Sequence, residues 1–196
     1  MTRLHRTRTR LASFVLIMSV GCGHTDRAQP AAMSARERTC SNGTSLMLSD
    51  SGIGLLRLGV SADTIRAGCV VFRDTTELAF DGTVQRVLHT QFGPAMMYVE
   101  IVNSRVARLS TTNPLLLTED GLGAGSSLES LLLIPNASGF AIGNSVFVRV
   151  PNHCGLGFQL DSNATHRMKP GATVDERALR KLPLSTKIVR VLISGC

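Results

Sequence analysis

Gly59-Val60-Ser61-Ala62-Asp63-Thr64-Ile65 and Gly125-Ser126-Ser127-Leu128-Glu129-Ser130-Leu131 share the pattern G-x-S-x-[DE]-[ST]-[IL]. The pattern reads as one helix start used twice. Glycine lets the chain turn, and serine offers a hydroxyl oxygen to the free backbone N–H groups of the first turn. The acid that follows meets the positive end of the helix dipole. Ser61 and Ser127 are therefore the expected N-caps. Each start follows a Gly-rich apolar stretch, GIGLL at 52–56 and DGLGA at 120–124. Both helices should be short, ending near Gly68 and before Pro135.

Working outward, strand-like runs at 84–91, 96–102 and 105–111 follow the first helix. Runs at 140–142, 145–150, 155–160 and 187–194 follow the second. Asn103-Ser104 and Gly143-Asn144 read as tight turns between neighbours. In the last run Val189, Val191 and Ile193 should point one way and Arg190 the other, as in a half-buried antiparallel strand. Residues 162–183 are polar and contain Pro170 and Pro183, with room for a short helix near 175–181. Helices on one face of antiparallel sheet make the expected class α+β. The expected organisation is two tandem helix-plus-antiparallel-sheet repeats, 45–118 and 119–196, forming one compact domain.

The start of the chain carries an address. Arg3, Arg6, Arg8 and Arg10 precede LASFVLIMSV at 11–20. A spanning helix needs about 20 apolar residues, and a basic head before a shorter apolar run reads as a signal peptide. Ser19-Val20-Gly21-Cys22 then places small residues just before a cysteine. This resembles the signal of a bacterial lipoprotein, which implies cleavage after residue 21 and a lipid on Cys22. Gly23 stands where an aspartate would mark inner-membrane retention in enteric-type bacteria, so the expected destination is the outer membrane. Residues 22–44 are polar and read as a flexible tether.

Loss of residues 1–21 removes four of the 21 Lys and Arg residues and none of the 14 acids, so the net charge falls from +7 to about +3. With no Trp and one Tyr, this gives neither the charge nor the stacking platform of a nucleic-acid binder. Setting Cys22 aside leaves Cys40, Cys69, Cys154 and Cys196. An even number in an exported chain implies disulfides. If the runs 155–160 and 187–194 are antiparallel neighbours, Cys154 lies beside Cys196. Cys40 is then left for Cys69, the alternative being that Cys40 sits in mobile chain and stays unpaired.

The remaining constellations are weak for chemistry. His153 and Cys154 are adjacent in a strand and face opposite ways, and His24, His89 and His166 lack metal spacing, so neither metal nor cofactor is expected. Ser126-Ser127 is followed by Leu128 and is not a G-x-S-x-G nucleophile loop. Gly121, Gly123 and Gly125 lack the βαβ setting of a dinucleotide site. One of Met96 and Met97 should enter the core and the other stay partly exposed.

A short capped helix before a β-meander resembles the tandem modules of β-lactamase-inhibitory-protein-like folds and of small outer-membrane assembly lipoproteins. LGVS at 58–61, DGLGAGSSL at 120–128, HCGLGF at 153–158 and Cys196 also resemble features of uncharacterised bacterial lipoproteins. The resemblance implies a role in protein binding or envelope assembly and supplies no site residue. The expected function is a non-enzymatic cell-envelope lipoprotein that binds another protein or an envelope component. The rivals are a periplasmic small-ligand-binding module and an envelope hydrolase. A hydrolase would need His89, His153 or an acid to converge on a nucleophile.

Overall fold

The computed structural model describes residues 35–41, 46–78, 82–166 and 168–196. Helix α1 (Ala35–Ser41) and a hairpin of β1 (Gly52–Ile53) and β2 (Leu56–Arg57) precede α2 (Ala62–Gly68). Strands β3 (Val70–Leu78), β4 (Val84–Phe92), β5 (Ala95–Val102) and β6 (Arg105–Thr111) follow. Then come α3 (Leu128–Leu131), β7 (Ser138–Ile142), β8 (Ser145–Val150) and β9 (His153–Leu160). The last elements are α4 (Ser162–Thr165), β10 (Thr173–Val174), α5 (Glu176–Leu179) and β11 (Ile188–Ile193). Among the described residues nine strands form one sheet in the order β10-β7-β8-β9-β11-β6-β5-β4-β3, and neighbours pair antiparallel.

The class is α+β, but the sheet is not divided into two helix-plus-sheet repeats. Strand β11 pairs with β9 on one side and with β6 on the other. The expected boundary between residues 118 and 119 is therefore closed by a continuous ladder. The two G-x-S stretches nonetheless do the same local job. Gly59 N–H donates to Val106 O at 2.8 Å, and Val106 N–H donates to Val60 O at 2.8 Å. Gly125 N–H donates to Ile188 O at 2.7 Å, and Ile188 N–H donates to Ser126 O at 2.9 Å. Each stretch thus borders the start of a later strand before its helix begins. Gly59 and Gly125 have φ of +80° and +90°, values that glycine adopts without steric cost.

Ser61 Oγ accepts from Thr64 N–H at 3.1 Å, and Ser127 Oγ accepts from Ser130 N–H at 3.2 Å. Both serines are N-caps with extended backbone. Behind the caps, Ile65, Leu128 and Leu131 are fully buried. Ser61→Ala and Ser127→Ala are each expected to cost about 1 kcal/mol, read as a lower urea midpoint with an unchanged slope. A midpoint shift of zero in both would show that the hydroxyls do not cap in solution.

Three differences from the sequence reading have physical causes. Four strands, not three, follow α2, because β3 is an edge strand whose mixed sequence VVFRDTTEL carries no apolar alternation. Residues 35–41, read as tether, form α1, and Cys40 within it is fully buried. In β11 a register shift leaves Val189 without a partner between Ile188 and Arg190. Val189 is therefore exposed, while Ile188, Val191 and Ile193 are buried. The bulge inverts the facing of Val189 that strict alternation had suggested.

The core lies on one side of the sheet. Leu88, Val99, Leu109, Val148, Phe158 and Val191 from six strands of this sheet cluster with Leu48, Ile53, Ile65, Leu122, Leu131 and Leu179 from the β1–β2 hairpin, the helices and connecting segments. This leaves the other side of the sheet without a covering layer among the described residues.

Candidate functional site

Alternation along each strand puts a second set of side chains on the uncovered face. Phe147 opposes Gln159 across β8 and β9, and Leu192 opposes Gly157 across β11 and β9. Leu192 also opposes Ser110, which in turn opposes Tyr98, and Glu100 opposes Arg108. Phe147 is 7% exposed and Val87 4%, yet both stand outside the core cluster. Burial without a covering layer means that neighbours on the same face shelter them.

Phe147 lies in a groove of about 400 Å³ that Phe140, Ile142, Gly157, Leu192 and Arg149 also line. A second hollow of about 380 Å³ shares Ile142, Phe147, Arg149 and Leu192 and extends to Arg108. Gly157 contributes depth because it places no side chain on the floor. Arg149 is exposed, and its guanidinium makes no ion pair or hydrogen bond among the described residues. Further along the face a hollow of about 240 Å³ is lined by Leu78 and Val87 together with Glu77, Tyr98, Glu100, Ser110 and Arg190. Glu100 accepts an ion pair from Arg108 at 3.1 Å. Arg190 stands 5.9 Å from the Tyr98 ring centre, and the His89 ring meets Tyr98 edge-on at 4.9 Å. The face therefore grades from an apolar, cation-rimmed half to a mixed half that carries both signs of charge.

Residues nominated from the sequence fall as follows. Cys22 lies outside the described residues. Cys40 bonds to Cys69, with Cα atoms 4.6 Å apart, and Cys154 bonds to Cys196 at 5.0 Å. Met97 is buried and Met96 exposed. His89 Nε2 lies 2.7 Å from Glu77 Oε1, and His166 Nδ1 lies 2.8 Å from Asn163 O.

His153 is buried, with Nε2 2.8 Å from Asp120 Oδ2, an oxygen that also accepts from Asn152 Nδ2 at 2.7 Å. Local sequence could not reveal that contact, because 33 residues separate Asp120 from His153. His89 and His153 thus serve different clusters, and neither is brought to a serine or cysteine nucleophile by any hydrogen bond among the described residues. Asp50, Cys154 and Cys196 place their ligand atoms within 4.8 Å of one another. Both sulfurs are consumed by the disulfide, which leaves no thiolate to bind metal.

At the sheet edge, Arg86 holds the Asp74 carboxylate below its ordinary pKa of 3.8, and Arg66 adds to the effect. Arg86 Nε reaches Asp74 Oδ1 at 2.7 Å, and Arg66 Nη2 reaches Oδ2 at 2.9 Å. A depressed folded-state pKa gives stability that is present above the unfolded value and lost as pH falls through the folded one. Asp74→Asn should therefore lower stability near neutrality and make it less sensitive to acid below about pH 4. Urea midpoints of both proteins across that range check it. Parallel acid limbs would remove Asp74 from the account.

No family model and no curated protein matches the chain. Among solved structures, it is similar to the uncharacterized protein YfeY from Escherichia coli, with a TM-score of 0.53 at 15% identity. The match covers 76% of this chain and 99% of that one. At that identity, the similarity speaks to the arrangement of the strands and to nothing these residues do.

Proposed function

We propose that this chain is a non-enzymatic cell-envelope lipoprotein that holds another envelope component against the uncovered face of its sheet. The observation that carries the reading is the groove itself. It offers apolar floor from Phe140, Ile142, Phe147 and Leu192 beside the guanidinium of Arg149, which has no partner among the described residues. An open groove with a few polar groups at its edge suits binding, since apolar area drives association and the cation orients the occupant. Two disulfides accord with an oxidising compartment. The proposed anchor is lipid on Cys22, with the outer membrane as destination. Among the described residues no helix is long and apolar enough to cross a membrane.

A photo-crosslinking side chain at Phe140, in the full chain in native membranes, tests the binding face. A protein-sized adduct is expected, weakened by Arg149→Glu and absent when the crosslinker is placed at Glu129 on α3. A lipid-sized adduct would replace protein binding with the small-ligand reading. Equal adducts at both positions would discard the face altogether. The anchor is tested separately. Cys22→Ala should move the protein from the detergent phase to the aqueous phase, and retention in detergent would refute lipidation.

A further inference from the structure

We propose that the free edge of the sheet pairs with the same edge of a second copy, centred on Thr75, joining two nine-stranded sheets. The two sheet edges are unlike. Strand β10 is two residues long, a common way to blunt an edge. Strand β3 is nine residues long and, among the described residues, has β4 on one side only. Phe72 and Leu78 on β3 are 58% and 73% exposed, and Val84, paired with Leu78, is 70% exposed. Such an edge offers a row of backbone donors and acceptors as a pairing template.

Symmetry then restricts the register. A two-fold axis between antiparallel strands passes through a pair of directly opposed residues, so one residue of β3 must face its own copy. Centring on Asp74 sets carboxylate against carboxylate, and centring on Arg73 sets guanidinium against guanidinium. Like charges directly opposite are destabilising. Centring on Thr76 puts Asp74 against Leu78. Centring on Thr75 instead pairs Arg73 with Glu77 of the second copy twice over, and Asp74 with Thr76 twice over. It also brings each exposed Phe72 beside an exposed Leu78. Arg73 and Glu77 share one side of the strand, since they oppose His89 and Gln85 of β4. The stretch from Arg73 to Leu78 runs in unbroken register with β4, the shift lying before it between Val71 and Arg73. The partner this edge fits is therefore another copy of the chain, whatever occupies the groove.

Cysteine scanning of the full chain in native membranes reads the register. In the proposed pair the two Thr75 Cα atoms are about 4.5–5.5 Å apart, within disulfide reach. Thr75→Cys should form a covalent dimer under mild oxidation. Asp74→Cys and Thr76→Cys should each stay monomeric alone and crosslink when co-expressed. Equal crosslinking at all three positions, or none at Thr75→Cys, would overturn the proposal. A charge exchange provides the second reading, with blue-native gels reporting mass. Arg73→Glu and Glu77→Arg should each lose the dimer, and a mixture of the two variants should regain it as a heterodimer. Dimers that survive both single changes, or a mixture that stays monomeric while both variants remain folded by circular dichroism, would refute the pairing.

Discussion

Replacing Cys154 and Cys196 together with alanine is expected to lower the unfolding free energy by about 4 kcal/mol, from the loop-entropy relation for a cross-link spanning 42 residues. The architecture makes the loss general. Strand β11 lies at the centre of the sheet, between β9 and β6. It supplies Val191 and Ile193 to the core, both fully buried. The disulfide ties the end of that strand to the start of β9, so that β11 need not search for its place in the unfolded chain. Without it, closing the ladder between the two halves of the sheet depends on β11 alone. The Cys40–Cys69 bond spans 29 residues and joins α1 to the end of α2, with an entropic contribution of similar size, roughly 3–4 kcal/mol. Its loss should loosen one end of the fold, whereas loss of Cys154–Cys196 should affect both sides of β11. Urea titrations followed by far-ultraviolet dichroism separate the two. An unchanged midpoint for the Cys154/Cys196 variant would mean that the strand finds its register unaided.

What could be read from the sequence were interactions between near neighbours. The caps at Ser61 and Ser127 depend on three-residue contacts. The turn at Asn103-Ser104 depends on two residues, both with positive φ. The pairing of Cys154 with Cys196 followed from supposing that two apolar runs were antiparallel neighbours, and β9 and β11 are such a pair. Contacts that link distant segments left no local trace. Pairing of β6 with β11 spans some 80 residues, and it turns an apparent pair of repeats into a continuous sheet. Strand β3 escaped notice because an edge strand buries little and so needs no alternation. The groove was equally hidden. Phe140, Phe147, Gly157 and Leu192 come from four strands, and each looks ordinary in its own segment. The cation rim was legible only as scattered arginines, since Arg108 and Arg149 meet the same hollow across the sheet.

Gly155→Ala should be among the most damaging single changes, costing about 3 kcal/mol, at the upper end for overpacking. The reason is space. A β-carbon at residue 155 would fall on the carbonyl oxygen of Asp50, and would lie 2.8 Å from Asp50 Cβ and 2.9 Å from its Cα. These are mostly backbone atoms, and they are held in place. Asp50 lies within a turn in which Ser49 N–H donates to Gly52 O at 3.0 Å and Gly52 N–H returns to Ser49 O at 3.1 Å. Asp50 Oδ1 also accepts the Gly155 N–H at 3.2 Å, and Gly155 O accepts from Ser194 N–H at 3.0 Å. A methyl group would therefore push the turn off β9 or draw β9 away from β11. Gly157, two residues along the same strand, supplies the control. Its β-carbon would meet Leu192 Cβ at 3.8 Å and Phe147 Cδ1 at 3.9 Å, ordinary contact distances. Gly157→Ala should therefore fold with nearly unchanged stability while it raises the groove floor. If the proposed function is right, Gly157→Ala weakens the crosslink from Phe140 without moving the urea midpoint. Gly155→Ala does the reverse, lowering the midpoint while the molecules still folded crosslink normally. Equal stability losses at the two glycines would show that the Asp50 turn yields in solution. A full-strength crosslink from Gly157→Ala would show that the occupant does not reach the floor between Phe147 and Leu192.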